Sequence, residues 1–350
     1  MPADSVRVGC VLPEAYFGEE EWKNAEMALG YAEEAAAQGV KLLLFPEGYP
    51  GPATGPLDNP KYPFKPVERM CALAEKHRMW ILLGDVEPTE TQDVYRLTLK
   101  AISPRGRVEA VYLRRQPDTP PLNAYLYNGK GHFLTGEESV VLDTEFGRVG
   151  LLICSELWVP ELPRLLMLQG AEIVVAPVHG SHSRNPNRLT DTARCIARAR
   201  AAENDFYVMT TLNLYVSRSF DYRSHAVPGA MVAGPEEMVG ELTEPGVLVV
   251  DLDMARLRYL RKRNVDVENR SLPPREGGFR YIGTRPGQIW ERRPELYKPL
   301  CEPSPYSFDY MYWEEDLDAW KKDYDRIYQG EYRAIEERFG GPFAFKETEE

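Results

Sequence analysis

Residues 149–178 read VGLLICSELWVPELPRLLMLQGAEIVVAPV. The apolar run 149–154 ends on a thiol, Cys154. Glu156 and Trp158 follow it. Residues 160–169 then carry apolar side chains at helical spacing, and 172–178 are apolar again, so the stretch predicts strand, helix, strand. A cysteine at a strand-to-helix turn stands above the sheet edge, where backbone N–H groups can face a developing oxyanion. Taken alone, Cys154 reads first as one more buried, apolar-like thiol. A nucleophile also needs a base.

The same alternation extends in both directions. Toward the N-terminus, residues 6–12 (VRVGCVL) predict a strand. An amphipathic helix over 20–38 follows, with apolar positions at Trp22, Ala25, Met27, Ala28, Tyr31, Ala32 and Ala35, and Gly39 stops it. Residues 41–45 (KLLLF) form a short strand, 66–78 a helix and 79–84 (MWILLG) a strand. The runs 95–102 and 107–113 flank Ser103-Pro104-Arg105-Gly106 and predict a strand pair, as do 140–143 and 149–154 about Glu145-Phe146-Gly147. Beyond the quoted stretch come a helix over 190–204 and strands at 206–212, 230–232 and 246–252. Residues 265–293, rich in Gly, Pro and Arg, read as a long loop. From Trp313 a tail helix lines up Trp313, Leu317, Trp320, Tyr324, Ile327 and Tyr328, a stripe to be covered by the chain's own core or by a second subunit. Strands and helices in this order predict mixed sheets covered by helices.

Composition sets outer bounds. The 350 residues suffice for one large domain, and 43% hydrophobic with 27% charged residues is the balance of a soluble globular protein. The net charge of -12 argues against nucleic acid as the main partner. No apolar run approaches a membrane span, and the first residues lack the pattern of a signal peptide, so a cytoplasmic protein is expected. The five cysteines, Cys10, Cys71, Cys154, Cys195 and Cys301, are scattered and predict neither a disulfide framework nor a structural zinc site. His179 and His182 in VHGSH lack a third metal ligand, so no metal is expected; His179 instead lines a pocket.

A base is available in KLLLFPEGYPGP. Glu47 follows a buried strand directly, where desolvation can tune a carboxylate for proton transfer. Phe45-Pro46-Glu47 together with Gly150-Leu151-Leu152-Ile153-Cys154-Ser155-Glu156 resembles the nitrilase, or carbon–nitrogen hydrolase, superfamily. So do Phe146-Gly147-Arg148-Val149-Gly150, Gly170-Ala171-Glu172, Ala199-Arg200-Ala201-Ala202-Glu203-Asn204 and Arg293-Pro294-Glu295-Leu296-Tyr297. The resemblance runs in order over residues 5 to 300. It implies an α/β fold, a four-layer αββα sandwich over 1–300, and a dimer through the helices near the cysteine; the aromatic stripe of the helical tail, 301–350, adds the expectation that this tail stabilises a homodimer or higher homo-oligomer. It also implies Cys154 as nucleophile, Glu47 as base, no cofactor, and a small amide, carbamoyl compound or nitrile as substrate.

Two positions depart from the family pattern. Where the family keeps a lysine, this chain reads Tyr112-Leu113-Arg114-Arg115-Gln116, which places Arg114 at that position, with Arg115 competing for the role. Arginine keeps the charge but is forked and permanently protonated. The family's second glutamate has no counterpart in residues 123–136, which hold Lys130 and His132 instead. Arg114 could stabilise an oxyanion or clamp a substrate carboxylate. Arg115, Lys130, His132, Glu156, Trp158 and His179 are the expected pocket residues, with a subunit contact as the alternative for Glu156 and Trp158 and a surface loop as the alternative for His132. Arg194, Arg198 and Arg200 read as a solvated or interface face, with Arg200 paired to Glu203. Hydrolysis of a C–N bond leads. Acyl or amidino transfer, condensation and a catalytically impaired binding protein stay open.

Overall fold

The computed structural model describes residues 3–16, 20, 22–51, 66–88, 94–116, 132–179, 186–215, 229–262 and 292–301. Fifteen strands and five α-helices lie within these residues. The first sheet contains β1 (Ser5–Leu12), β3 (Leu42–Leu44), β4 (Trp80–Pro88), β5 (Val94–Ile102), β6 (Val108–Leu113) and β15 (Gly246–Asp253). Their order is β15-β1-β3-β4-β5-β6, and β7 (His132–Leu134) adds to the start of β5. The second sheet contains β8 (Val141–Thr144), β9 (Gly147–Leu151), β10 (Ile173–Val175), β11 (Tyr207–Thr211), β13 (Ala230–Ala233) and β14 (Met238–Leu242), in the order β14-β13-β11-β10-β9-β8. A two-stranded pair, β2 (Glu14–Ala15) with β12 (Leu214–Tyr215), ties the end of β1 to the end of β11.

Strand alternation builds the layers. Leu42 and Leu44 of β3 join a core shared with Leu151, Ile173, Val175 and Met209 of the second sheet. Leu43 points the other way, into a core formed with α1 (Lys23–Ala37) and α2 (Pro66–His77) through Ala28, Ala32, Ala35, Met70 and Ala74. In β10, Val174 does the same toward α3 (Glu161–Leu168) and α4 (Pro186–Asn204), meeting Leu162, Leu166, Ala197 and Ala201. A period of two therefore sends successive side chains into different cores. Helices, sheet, sheet, helices is the four-layer αββα sandwich that the sequence predicts.

Most predicted elements are present with shifted ends. Gly39 terminates α1 at a φ of 80°, the left-handed backbone a helix stop requires. Trp22 precedes that helix and is exposed, because the inner face of α1 is lined by alanines that bring it close to the sheet. The strand expected over residues 149–154 ends at Leu151, since Cys154–Trp158 winds into a 3-10 turn. Five elements escape the pattern reading altogether, among them the short strands β2, β7 and β12. Strand β14 is a half-buried sheet edge without an apolar run. Helix α5 (Met254–Lys262) buries Met254 and Leu257 but otherwise works through its arginines: Arg258 donates to the carbonyls of Ala3 and Phe146, and Arg261 donates to those of Asp205 and Ala171. The tail helix, Lys130, His182 and most of the long loop fall outside the described residues. Among those described, no helix is long and apolar enough to cross a membrane.

Candidate active site

The carboxyl ends of parallel strands in two sheets meet at one place. Glu47 lies three residues beyond Leu44, the last residue of β3. Arg114 directly follows β6, and Cys154 lies three residues beyond β9. His179 and Asn213 follow β10 and β11. In α/β sheets such strand ends form the natural crevice for a ligand.

The Cys154 backbone has a φ of 56°, a left-handed conformation that costs a non-glycine residue about 1–2 kcal/mol. Several bonds hold it there. The Cys154 N–H donates to the Pro177 carbonyl at 2.8 Å, and the Leu152 N–H donates to Val175 at 2.9 Å. Behind the 3-10 turn, Arg200 of α4 donates to the carbonyls of Leu157 and Trp158 at 3.0 and 2.8 Å, while pairing with Glu203 at 3.0 Å. Arg198 binds the carbonyls of Gly234 and Glu236, and Arg194 binds Glu241. The arginine face of α4 thus fastens the cysteine turn and the outer strands.

Glu47 and Arg114 form an ion pair at 3.0 Å, with side chains only 5% and 3% exposed. Neither charge is buried alone, which is the condition for keeping both inside a protein. The other arm of the Arg114 guanidinium donates to Ser155 Oγ at 2.6 Å, one residue from the thiol. Arginine's fork makes this bridge possible, because two parallel donors can reach two acceptors where an ammonium presents a single point. Arg115 points elsewhere and donates to Ser139 Oγ at 2.8 Å. The tyrosine-anchored register therefore puts Arg114, and not Arg115, beside Glu47.

Two other expected pocket residues sit differently. Glu156 is fully buried, and its carboxylate accepts from the Tyr112 hydroxyl, from the backbone N–H groups of Arg115 and Gln116, and from that of Ile153. It is part of the framework, and its donors leave it poorly suited to contacting a substrate. Trp158 is 41% exposed on the outer side of the turn. For His132 the backbone alone is described, as part of β7. His179 is buried near the site, and its carbonyl accepts from Asn213 Nδ2 at 2.6 Å. Among the described residues, no three His, Cys, Asp or Glu side chains converge as metal ligands.

Sequence reading did not single out Asn213, Gly84 or the hydroxyl of Ser155. Asn213 is buried, and the same Nδ2 also donates to the Glu47 carbonyl at 3.1 Å, so one amide ties the end of β3 to the end of β10. Asn213 lies two residues beyond the strand YVMTT, and its burial is not visible in the sequence. Gly84 matters for what it lacks: a Cβ there would lie 2.6 Å from Gly48 N and Pro46 O, and 3.0 Å from Glu47 Cα. Backbone cannot yield as a flexible side chain does. Gly84→Ala is expected to displace the 46–48 segment, lowering turnover at least about 10-fold for about 1–3 kcal/mol of stability. Steady-state kinetics with thermal unfolding of the same preparation checks both.

Two mixed sheets packed between helices, in four layers, match the fold of solved nitrilase-superfamily structures. The chain belongs to the carbon-nitrogen hydrolase family, whose model matches residues 11–262. It is 28% identical over 274 residues to Hydrolase MT0498 of Mycobacterium tuberculosis, covering 73% of this chain and 92% of that protein. Omega-amidase NIT2 of Homo sapiens is 23% identical over 247 residues, covering 69% and 86%. A solved amidase from Nesterenkonia sp. superimposes with a TM-score of 0.58 at 24% identity, covering 74% of this chain and 95% of its own, a likeness of fold. A mutant of the amidase from Nesterenkonia sp. AN1 shows covalent addition of the acetamide moiety of fluoroacetamide at its active-site cysteine.

Proposed function

We propose that this protein hydrolyses a non-peptide C–N bond in a small amide, carbamoyl compound or nitrile, with Cys154 as nucleophile and Glu47 as base. The observation that carries this reading is the Glu47–Arg114–Ser155 chain, at 3.0 and 2.6 Å, ending one residue from a cysteine held in left-handed backbone. For an amide, Glu47 takes the thiol proton and the sulfur attacks the carbonyl carbon. The C=O π electrons move to oxygen, where Arg114 and the Ser155 N–H supply positive charge. Collapse breaks the C–N bond as Glu47 returns its proton to nitrogen, and ammonia or an amine leaves. Glu47 then deprotonates water, which attacks the thioester. The acid departs and the sulfur recovers its proton.

Small substrates suit the setting, since Cys154 is only partly exposed and Glu47 and Arg114 are buried. The test is ammonia release from a panel of short-chain amides, N-carbamoyl compounds and nitriles, together with mass mapping of iodoacetamide adducts. Fast alkylation is expected at Cys154. Cys10 should stay unlabelled, because complete burial pushes its thiol far above the ordinary range. Cys195 and Cys301 are exposed and serve as ordinary reference thiols. Reactivity at Cys154 no greater than theirs, with no turnover across the panel, would favour a binding protein on this fold.

A further inference from the structure

Glu156 is a carboxylate with no exposed surface and no cationic side chain against it among the described hydrogen bonds. Among the described residues its hydrogen bonds come from neutral donors. One oxygen accepts from Arg115 N at 2.6 Å, Gln116 N at 2.9 Å and Tyr112 Oη at 2.9 Å. The other accepts from Ile153 N at 2.7 Å and Tyr112 Oη at 2.8 Å. Burial and the adjacent carboxylate both push the Tyr112 phenol well above its usual range, so it stays a donor at any working pH. A buried carboxylate this fully satisfied specifies the geometry of whatever donates to it.

The donors bracket the site on both sides. Arg115 and Gln116 are the peptides that follow Arg114, at the end of β6 in the first sheet. Ile153 is the peptide that precedes Cys154, at the end of β9 in the second. The Arg114 backbone has two further anchors, its N–H to Leu97 and its carbonyl from Gly136, each at 2.9 Å. Glu156 thus joins two chain segments from different sheets, each next to a reacting group. We propose that Glu156 is a positioning residue: through its carboxylate it sets the distance between the Arg114 guanidinium and the Cys154 sulfur, and does so without touching substrate.

This rests on the reading of Arg114 and Cys154 given above, and the test separates the two. In Glu156→Gln the amide nitrogen replaces one acceptor and confronts N–H donors. The expected result is a 10- to 100-fold lower kcat per titrated active site, of the order that about 1 Å of misplacement costs, with KM within about 3-fold of wild type. Glu156→Asp keeps the charge and should recover part of the loss. Combined with Arg114→Ala, Glu156→Gln should add less than about 3-fold, because the group it positions is gone. If Glu156→Gln does not fold, Tyr112→Phe serves in its place; it removes the phenol and leaves three backbone donors, with a smaller loss and the same non-additivity. Wild-type kcat in Glu156→Gln would overturn the proposal, and so would a loss that multiplies undiminished with Arg114→Ala. Full activity in Arg114→Ala alone would instead refute the role of Arg114 and leave the brace without a target.

Discussion

Replacing Cys154 with alanine is expected to lower turnover by roughly four orders of magnitude or more, leaving only what binding and charge can do without a nucleophile. Binding of substrate should survive. Crystals of Cys154→Ala soaked with an amide should hold it intact beside Glu47 and Arg114, while wild-type protein treated with a haloacetamide should carry the adduct on Sγ. The backbone adds a second expectation. Because Cys154 sits at a φ of 56°, any β-carbon there is strained. Cys154→Gly should therefore be at least as stable as Cys154→Ala, despite the flexibility glycine adds to the unfolded chain. Thermal unfolding of the two variants checks this. A clearly less stable glycine variant would mean that the turn is not held against its own preference.

Arg114 carries the second large effect. Arg114→Ala should lower kcat about 100-fold or more if the guanidinium faces the oxyanion. It should also cost about 3–5 kcal/mol of stability, since Glu47 would be left as an uncompensated buried charge. Activity is therefore to be normalised to folded protein. Arg114→Lys keeps a charge but presents one point where the fork now bridges Glu47 and Ser155. Measurable turnover should remain, with a new alkaline limb: a lysine with an ordinary pKa of about 10.4 loses its proton within reach of assay, while arginine does not. If Arg114 instead clamps a substrate carboxylate, both changes should mainly raise KM, and the preferred substrates should carry a two-acceptor group. The two roles thus part on kcat against KM.

The absence of any acid from residues 123–136, which hold Lys130 and His132, bears on the same chemistry. A site with one buried carboxylate and one permanent cation has a single proton carrier among the residues we place in it. On the proposed mechanism Glu47 must serve both the thiol and the leaving nitrogen. Glu47→Gln should accordingly slow both alkylation of Cys154 and turnover, which pre-steady-state mixing with a chromogenic ester or anilide would resolve into its two halves.

Much of this protein is legible from the chain itself. Short continuous apolar runs in KLLLF and EIVVAPV, helical spacing over 160–169 and glycine at position 39 are local signals, and local sterics are enough to make strands, helices and stops of them. The motifs around Glu47 and Cys154 point to the sandwich and to those two residues, while alignment on Tyr112 leaves Arg115 competing with Arg114. Other features depend on the third dimension. Arg114 and Arg115 are chemically equal in sequence, and only the pleat at the end of β6 sends one to Glu47 and the other to Ser139. An acid two residues from the cysteine reads as a pocket group, yet the 3-10 turn rotates Glu156 inward onto Tyr112 and three peptide N–H groups. Asn213 and Gly84 declare themselves only when Glu47 arrives from another strand. Hydrophobic periodicity reports which face a residue takes within its own element; which buried polar groups meet across two sheets is decided by the packing of those sheets, because each donor must find its acceptor after water has been excluded.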